Sequence, residues 1–316
     1  MPVIKDIPPE LKIEPVLEAD ARAFGLTTKL LQRSGFRHVH RGVFLWPGLG
    51  YGPEIQYDAA QLTMKRIALA SHHTAAQLHG LPVPGPDAPH FWLPDCEKGR
   101  DTRGLHAHWY KPPDVPAYTM VRDRRATTIG KTFIDLATEL CLFDLVAFGD
   151  AAIRRPEVTA EHLRELARER GRRHIRKARQ AVELLRPRVD SPPESHLRLL
   201  MTFAGLPEPE TNLMARDGLG EWIATPDLSY PDLKIAIEYE GSHHGRRKEQ
   251  WTRDVDRNAA YNDNGWVVVV VLAEHLYKRP HLLLDRIAGH LHARGHRAMP
   301  SSLTTEWEPY MRGIRF

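Results

Sequence analysis

Carboxylates crowd one short stretch of this chain. Asp227, Glu238 and Glu240 fall within Pro226-Asp227-Leu228 and Ile237-Glu238-Tyr239-Glu240-Gly241, and His243 and His244 follow. Trp222 to Asp227 and Leu233 to Glu240 read as two β-type segments around a Ser-Tyr-Pro-Asp turn, a predicted hairpin with three acids near its strand ends. Side chains alternate across a strand, which puts Lys234, Ala236, Glu238 and Glu240 on one face and Ile235, Ile237 and Tyr239 on the other. Two acids on one face of an otherwise apolar strand repel each other and resist desolvation unless a cation or a shared proton compensates. A hard divalent ion, magnesium or manganese, meets that need and activates water against a phosphate ester. A nearby His or Lys can orient or deprotonate the water. The competing reading is a solvent-facing pair of acids on an edge strand, with both histidines in a surface turn.

Further motifs flank these acids in a fixed order. They are Ser191-Pro192-Pro193-Glu194-Ser195-His196-Leu197-Arg198-Leu199-Leu200, Ala204-Gly205-Leu206-Pro207-Glu208-Pro209, Asp254 with Arg257, and Gly265-Trp266-Val267-Val268. On these residues the segment from Ser191 to His296 resembles the very-short-patch-repair-like branch of the PD-(D/E)XK nuclease superfamily, in the form of the DUF559 group. The resemblance implies a magnesium-dependent endonuclease acting on DNA. Asp227 would be the central metal ligand, with Glu238 and Glu240 on the second strand, Glu194 from the first helix and His244 beyond the strand. Asp254 and Arg257 would support the ligands from the next helix. The superfamily's usual lysine is absent, and its position is taken by Glu240, where this group more often carries Asp-Gly.

Several of these residues also have plain structural readings. Glu194 completes an S-x-x-E capping box with Ser191. Asp227 follows a proline at a turn, where Asp bonds nearby backbone amides. Asp254 and Arg257 are spaced for an ion pair on a helix from about Arg246 to Asn262, whose apolar stripe is Trp251, Val255 and Ala259.

The elements that must position these residues follow from pattern. The helix closes at Asn264-Gly265, Trp266 to Leu272 is a β-branched run predicted to be a strand buried on both faces, and Pro280 to Ala293 is the last helix. The fold class expected is α/β and multidomain. Its C-terminal part would be a restriction-endonuclease-like α/β sandwich with a mixed sheet, its N-terminal part winged-helix-like plus a small α/β region. The segments are 1–60, a partial winged-helix-like module; 61–125, a small α/β region; 126–190, a basic helical connector; 191–298, the nuclease-like domain; and 299–316, a tail.

A chain of 316 residues exceeds the usual single core. Two cysteines, Cys96 and Cys141, are too few for a disulfide framework or a zinc knuckle. No window is apolar enough to span a bilayer and Met1 to Glu10 does not resemble a secretory signal, so a cytoplasmic protein is expected. The net charge of +4 is compatible with nucleic acid. Arg172, Arg173, Arg176, Lys177 and Arg179 form the centre of a basic run between Glu161 and Arg188, a candidate DNA-phosphate surface. An amphipathic, solvated helix pair would look the same.

In the N-terminal half, Leu26 to Ser34 reads as a helix and Phe36 to Trp46 as a basic strand region. Together with Ala68-Leu69-Ala70-Ser71-His72-His73-Thr74-Ala75-Ala76-Gln77-Leu78-His79-Gly80-Leu81, this part resembles the N-terminal region of the AbiEi antitoxin family. Ser71 to Leu81 is expected to be a core helix. His72 and His73 read as structural or exposed, and His106 and His108 as a surface pair on a strand without a third ligand. Thr127 to Thr132 lacks phosphate-loop spacing and is expected to open a helix, Thr132 to Leu140. Three functions stay open: a metal-dependent DNA endonuclease in repair or defence; a DNA-binding, antitoxin-like regulator that keeps the nuclease fold as a scaffold; or a host-defence interaction protein triggered by a partner. A protein partner or a homodimer fits each.

Overall fold

Val16, Leu26, Leu31, Phe36 and Phe44 gather the start of the chain around one apolar cluster. The computed structural model describes residues 7–64, 68–85, 88–97, 104–169, 174–241, 257–297 and 299–314. The chain is mixed α/β and divides into two units, Met1–Leu136 and Ala137–Phe316. Among the described residues no helix is long and apolar enough to cross a membrane.

In the first unit, β1 (Val16–Leu17) leads into α1 (Glu18–Ala23) and α2 (Thr28–Arg33), followed by β2 (Arg37–His40) and β3 (Val43–Leu45). Thr27 caps α2 by accepting the Leu30 amide, and Gly35 ends it at φ +87°, a conformation that favours glycine. β3 is the central strand of the antiparallel sheet β1-β3-β2. The sequence predicts α2 but not α1, whose six residues bury only Ala21 and so carry no readable apolar stripe.

The same unit continues with α3 (Pro53–Gln61), β4 (Leu69–Ala70), α4 (His72–Leu78), β5 (His90–Pro94), β6 (His106–Tyr110), β7 (Tyr118–Val121), β8 (Arg124–Thr127) and α5 (Ile129–Leu136). The five strands run β6-β5-β4-β8-β7, parallel at β5–β6 and β4–β8 and antiparallel elsewhere. Phe91 and Leu93 pack with Tyr57, Ala60, Ala75 and Leu78 in its core. Alternation turns His90, Trp92, His106 and His108 to the opposite face. α4 is a core helix, as its sequence predicts. α5 starts three residues before the expected Thr132, because Thr128 Oγ1 accepts the Lys131 amide at 3.2 Å and so serves the first turn.

The second unit opens with four helices, α6 (Leu142–Ala152), α7 (Ala160–Arg168), α8 (Ile175–Glu183) and α9 (Pro192–Phe203). α6 is buried on nearly all sides and packs on α8 and α9. There follow β9 (Glu210–Thr211), β10 (Ala215–Arg216), β11 (Trp222–Ala224), β12 (Leu228–Tyr230), β13 (Ile235–Glu240), α10 (described over residues 257–263), β14 (Val267–Leu272), α11 (Ala273–Lys278), α12 (Pro280–Ala293) and α13 (Glu308–Met311). The main sheet, β14-β13-β12-β9, is mixed: β13 and β14 are parallel and the other pairs antiparallel.

The predicted hairpin is corrected in its first strand. Leu228–Tyr230, where Ser229 and Tyr230 read as turn, is the strand that pairs with β13, with Leu228 opposite Ile237 and Tyr230 opposite Ile235. Trp222–Ala224 pairs instead with β10, because the Asp217 carboxylate accepts the Leu219 and Glu221 amides and Gly220 turns at φ +88° to make a separate hairpin. Lys234 lies before the strand at φ +52°. β14 is also corrected: Val269 and Val271 are buried, while on its other face Val268 and Val270 are half-covered and Leu272 is exposed. Gly265, at φ +71°, ends α10 as expected, and α12 matches Pro280 to Ala293.

Candidate active site

Three acids meet where β12, β13 and the start of α9 come together. Asp227 immediately precedes β12, at the end of its ladder with β13, and its Oδ2 accepts the Tyr239 amide at 2.7 Å. Glu238, on β13, is only 7% exposed. Its Oε2 pairs with Arg257 Nη2 at 3.0 Å, and its Oε1 accepts the Tyr261 hydroxyl at 3.1 Å, both partners coming from α10. Burial and the neighbouring Glu238 push the Tyr261 hydroxyl well above the usual phenol range.

Glu194 is buried in the first turn of α9. Its Oε1 accepts the Ser191 hydroxyl at 2.7 Å, and its Oε2 accepts the Asp190 amide at 2.9 Å and the Asn212 side-chain amide at 3.1 Å. Asn212 also donates its backbone amide to the Asp227 carbonyl at 2.9 Å, which ties the α9 end to the β12 end. Its φ of +42° is one that Asn tolerates better than most residues.

The electrostatics of the cluster centre on Asp227. Its carboxyl is pushed up to about 7, first by burial and then by the negative charges of Glu194 and Glu238; the Tyr239 amide and Arg257 pull the other way. A carboxyl raised this far by burial and neighbouring acids is one that a bound cation would convert to a carboxylate. The donors are hard oxygens, which fits magnesium or manganese. Glu240 is half-buried at the end of β13.

Among the other candidates, His244, Asp254, Arg172 and Arg173 lie outside the described residues. Arg176 is exposed. Lys177 Nζ donates to the Leu140 carbonyl at 2.6 Å, and Arg179 donates to the carbonyls of Ala167, Arg168 and Glu169 at the end of α7. Arg179 thus serves the last carbonyls of α7, which have no partners within the helix, and Lys177 ties α8 to the segment before α6.

The sequence reading misses two buried networks beside the acids. Asp144 on α6, His196 on α9 and Tyr277 on α11 form a chain, with His196 Nε2 3.2 Å from Asp144 Oδ1 and Nδ1 3.0 Å from the Tyr277 hydroxyl. Asp150 on α6 accepts from Arg198 Nη2 at 3.0 Å, Ser195 Oγ at 2.8 Å and the Arg186 amide at 2.7 Å. Both join residues far apart in sequence, and no spacing signals them.

In the first unit His106 is exposed as expected, and the surface reading of His108 without a third ligand is corrected. His72 and His73 are buried, and His108 is half-buried beside His72 and His90. Donor atoms of His72, His90 and His108 all lie within 4.8 Å of one another; among the described residues the three acids form no cluster of that tightness. His90, the missing third partner, stands on the neighbouring strand β5, whose pairing to β6 the sequence does not reveal.

A mixed α/β chain with a buried carboxylate cluster is the class that fold and site define. No family model matches it. Over 234 residues it is 31% identical to two Mycobacterium tuberculosis proteins, "Uncharacterized protein Rv2248" of strain H37Rv and "Uncharacterized protein MT2308" of strain CDC 1551, covering 74% of this chain and 84% of each relative. The chain belongs to the family of these mycobacterial proteins.

Proposed function

We propose that the protein is a metal-dependent DNA endonuclease whose site is built on Asp227, Glu238 and Glu194. One observation carries this reading: half-buried Asp227 stands beside two buried acids, and burial together with the charges of Glu194 and Glu238 raises its carboxyl to about 7. Such an arrangement costs stability, and a functional site is where that cost is retained. On this reading the second unit is a restriction-endonuclease-like core and the start of the first unit a winged-helix-like module. The order β1, α1, α2, β2, β3 is compatible with such a module. The protein would act on DNA in the cytoplasm.

Asp227 and Glu238 would hold the ion, with Glu240 beside them at the end of β13. Magnesium bound there would supply charge relief for the phosphoryl oxygens and a lowered pKa for water. Glu194 keeps the α9 end fixed against β12 through Ser191, Asp190 and Asn212. Tyr261 and Arg257 orient Glu238, and Arg257 brings positive charge to a site without the superfamily's lysine. His244 is the candidate to orient or deprotonate the attacking water.

The test is nicking of supercoiled plasmid by the full chain with magnesium or manganese, with and without chelator. Metal-dependent nicking lost in Asp227→Ala supports the assignment; equal cleavage by parent and variant, or none by the parent, removes it. A second reading, a DNA-binding regulator on a nuclease scaffold, is favoured by Glu238 being already matched by Arg257 and Tyr261. Salt-dependent duplex binding without cleavage would select it.

A further inference from the structure

We propose that His72, His90 and His108 form a binding site in the first unit for a divalent transition-metal ion, zinc foremost. The three donor sets converge within 4.8 Å, and His90 Nδ1 and His108 Nε2 stand 3.1 Å apart in a hydrogen bond whose shared proton a metal ion would displace. Two nitrogens each about 2.0–2.1 Å from a tetrahedral zinc would be roughly 3.3 Å apart, so this pair is already close to the spacing of co-ligands. Imidazole ligands suit zinc, copper and nickel, whereas magnesium prefers oxygen. The site therefore takes a different ion from the one the carboxylates of the second unit would hold.

The fold builds this cluster from three elements. β5 and β6 run parallel with His90 opposite His106 and Trp92 opposite His108, so His90 and His108 are diagonal neighbours on one sheet face. His72 joins them from the first position of α4, at φ +46°, a conformation uncommon for a residue with a side chain. His72 Nδ1 is 3.0 Å from Ser71 Oγ, which leaves Nε2 as the nitrogen the ring can offer, a partner of the kind that fixes metal-binding histidines elsewhere.

The chemistry at rest suits capture of a cation. Burial, reinforced by the mutual repulsion of the histidines, holds all three imidazoles neutral at physiological pH, with His108 pushed down to about 4 and His72 and His90 lower still. Neutral imidazole is the ligating form. Lys131 adds positive charge at the border, and Asp135, its ion-pair partner, offsets it while accepting the Trp92 indole N–H at 2.9 Å. The His72 and His108 rings stack at 3.8 Å with 16° between planes. Because a metal lies in the plane of each imidazole that binds it, uptake requires these two rings to tilt apart.

The experiment is titration of the chelator-treated full chain with cobalt(II), followed by its visible bands, and then displacement by zinc. With magnesium in excess to occupy the carboxylates of the second unit, one cobalt per chain is expected, and zinc displaces it. His108→Ala, on the edge strand β6, should weaken binding by more than tenfold, and Ser71→Ala by roughly tenfold, as outer partners of ligands do. Far-UV circular dichroism checks that each variant folds, and if His108→Ala does not, Ser71→Ala decides. No stoichiometric cobalt uptake by the parent, or uptake unchanged in the folded variants, overturns the proposal.

Discussion

The guanidinium of Arg257 stands 3.0 Å from the carboxylate of Glu238, on the side of the sheet where Asp227 also feels its charge. Arg257 is thus the described cation that keeps the acid cluster from being wholly uncompensated. Arg257→Ala should lower the urea midpoint by an amount equivalent to about 1–3 kcal/mol, reduced from the buried-pair range because Arg257 is half-exposed. It should also move the Asp227 titration, followed by carboxyl carbon NMR, to higher pH. An unchanged titration would mean that Arg257 does not act on the site.

Asp227→Asn gives a pH-dependent result with a definite sign. The Asp227 carboxyl is raised from an ordinary 3.8 to about 7, so between those values the folded chain holds a proton that the unfolded chain has released. Stability from this group is therefore greatest below pH 4 and is lost as pH rises through 7. The substitution should be close to neutral at pH 4 and should stabilise at pH 8 by on the order of 1–3 kcal/mol. Urea unfolding at the two values checks it, and magnesium should raise the midpoint of the parent but not of the variant.

The fully buried Arg198 has Asp150 as its ion-pair partner within α6. Arg198→Leu leaves that acid buried with only Ser195 and the Arg186 amide, and should cost about 3–5 kcal/mol in chemical denaturation. Adding Asp150→Leu should recover part of the loss, which a double-mutant cycle measures directly.

Arg176 and Lys177 are neighbours with opposite expected behaviour. Arg176→Ala should leave thermal stability unchanged and reduce the salt slope of duplex affinity by about 1 if this surface meets phosphate. Lys177→Ala removes the bond to the Leu140 carbonyl and should cost about 1 kcal/mol of stability. Fluorescence anisotropy across a salt series, beside a thermal melt, separates them.

Much of the local structure was legible in the chain. Gly265 after Asn264 marked the end of α10, the β-branched run marked β14, and the proline and apolar pattern marked α12, because each signal is contained within a few residues. The predicted hairpin failed in its first strand because β12 has three residues, too few for an alternation to register, while its neighbour β11 looked equally extended. Motif order singles out Glu194 and Asp227 as candidates, and only the folded chain links them, through Asn212, which donates to the Glu194 carboxylate and to the Asp227 carbonyl.

The sequence by itself determined which residues are acids, imidazoles and cations, and which short segments must be helix or strand. Only the tertiary structure decided what those groups do to one another. Arg257 reaches Glu238 because a helix packs on the strand, Lys177 and Arg179 turn inward to carbonyls, and His90 completes a trio with His72 and His108 because two strands lie parallel. Charge and ligation act through space at a few ångströms, and that separation is set by strand pairing and helix packing between residues that the chain itself holds far apart.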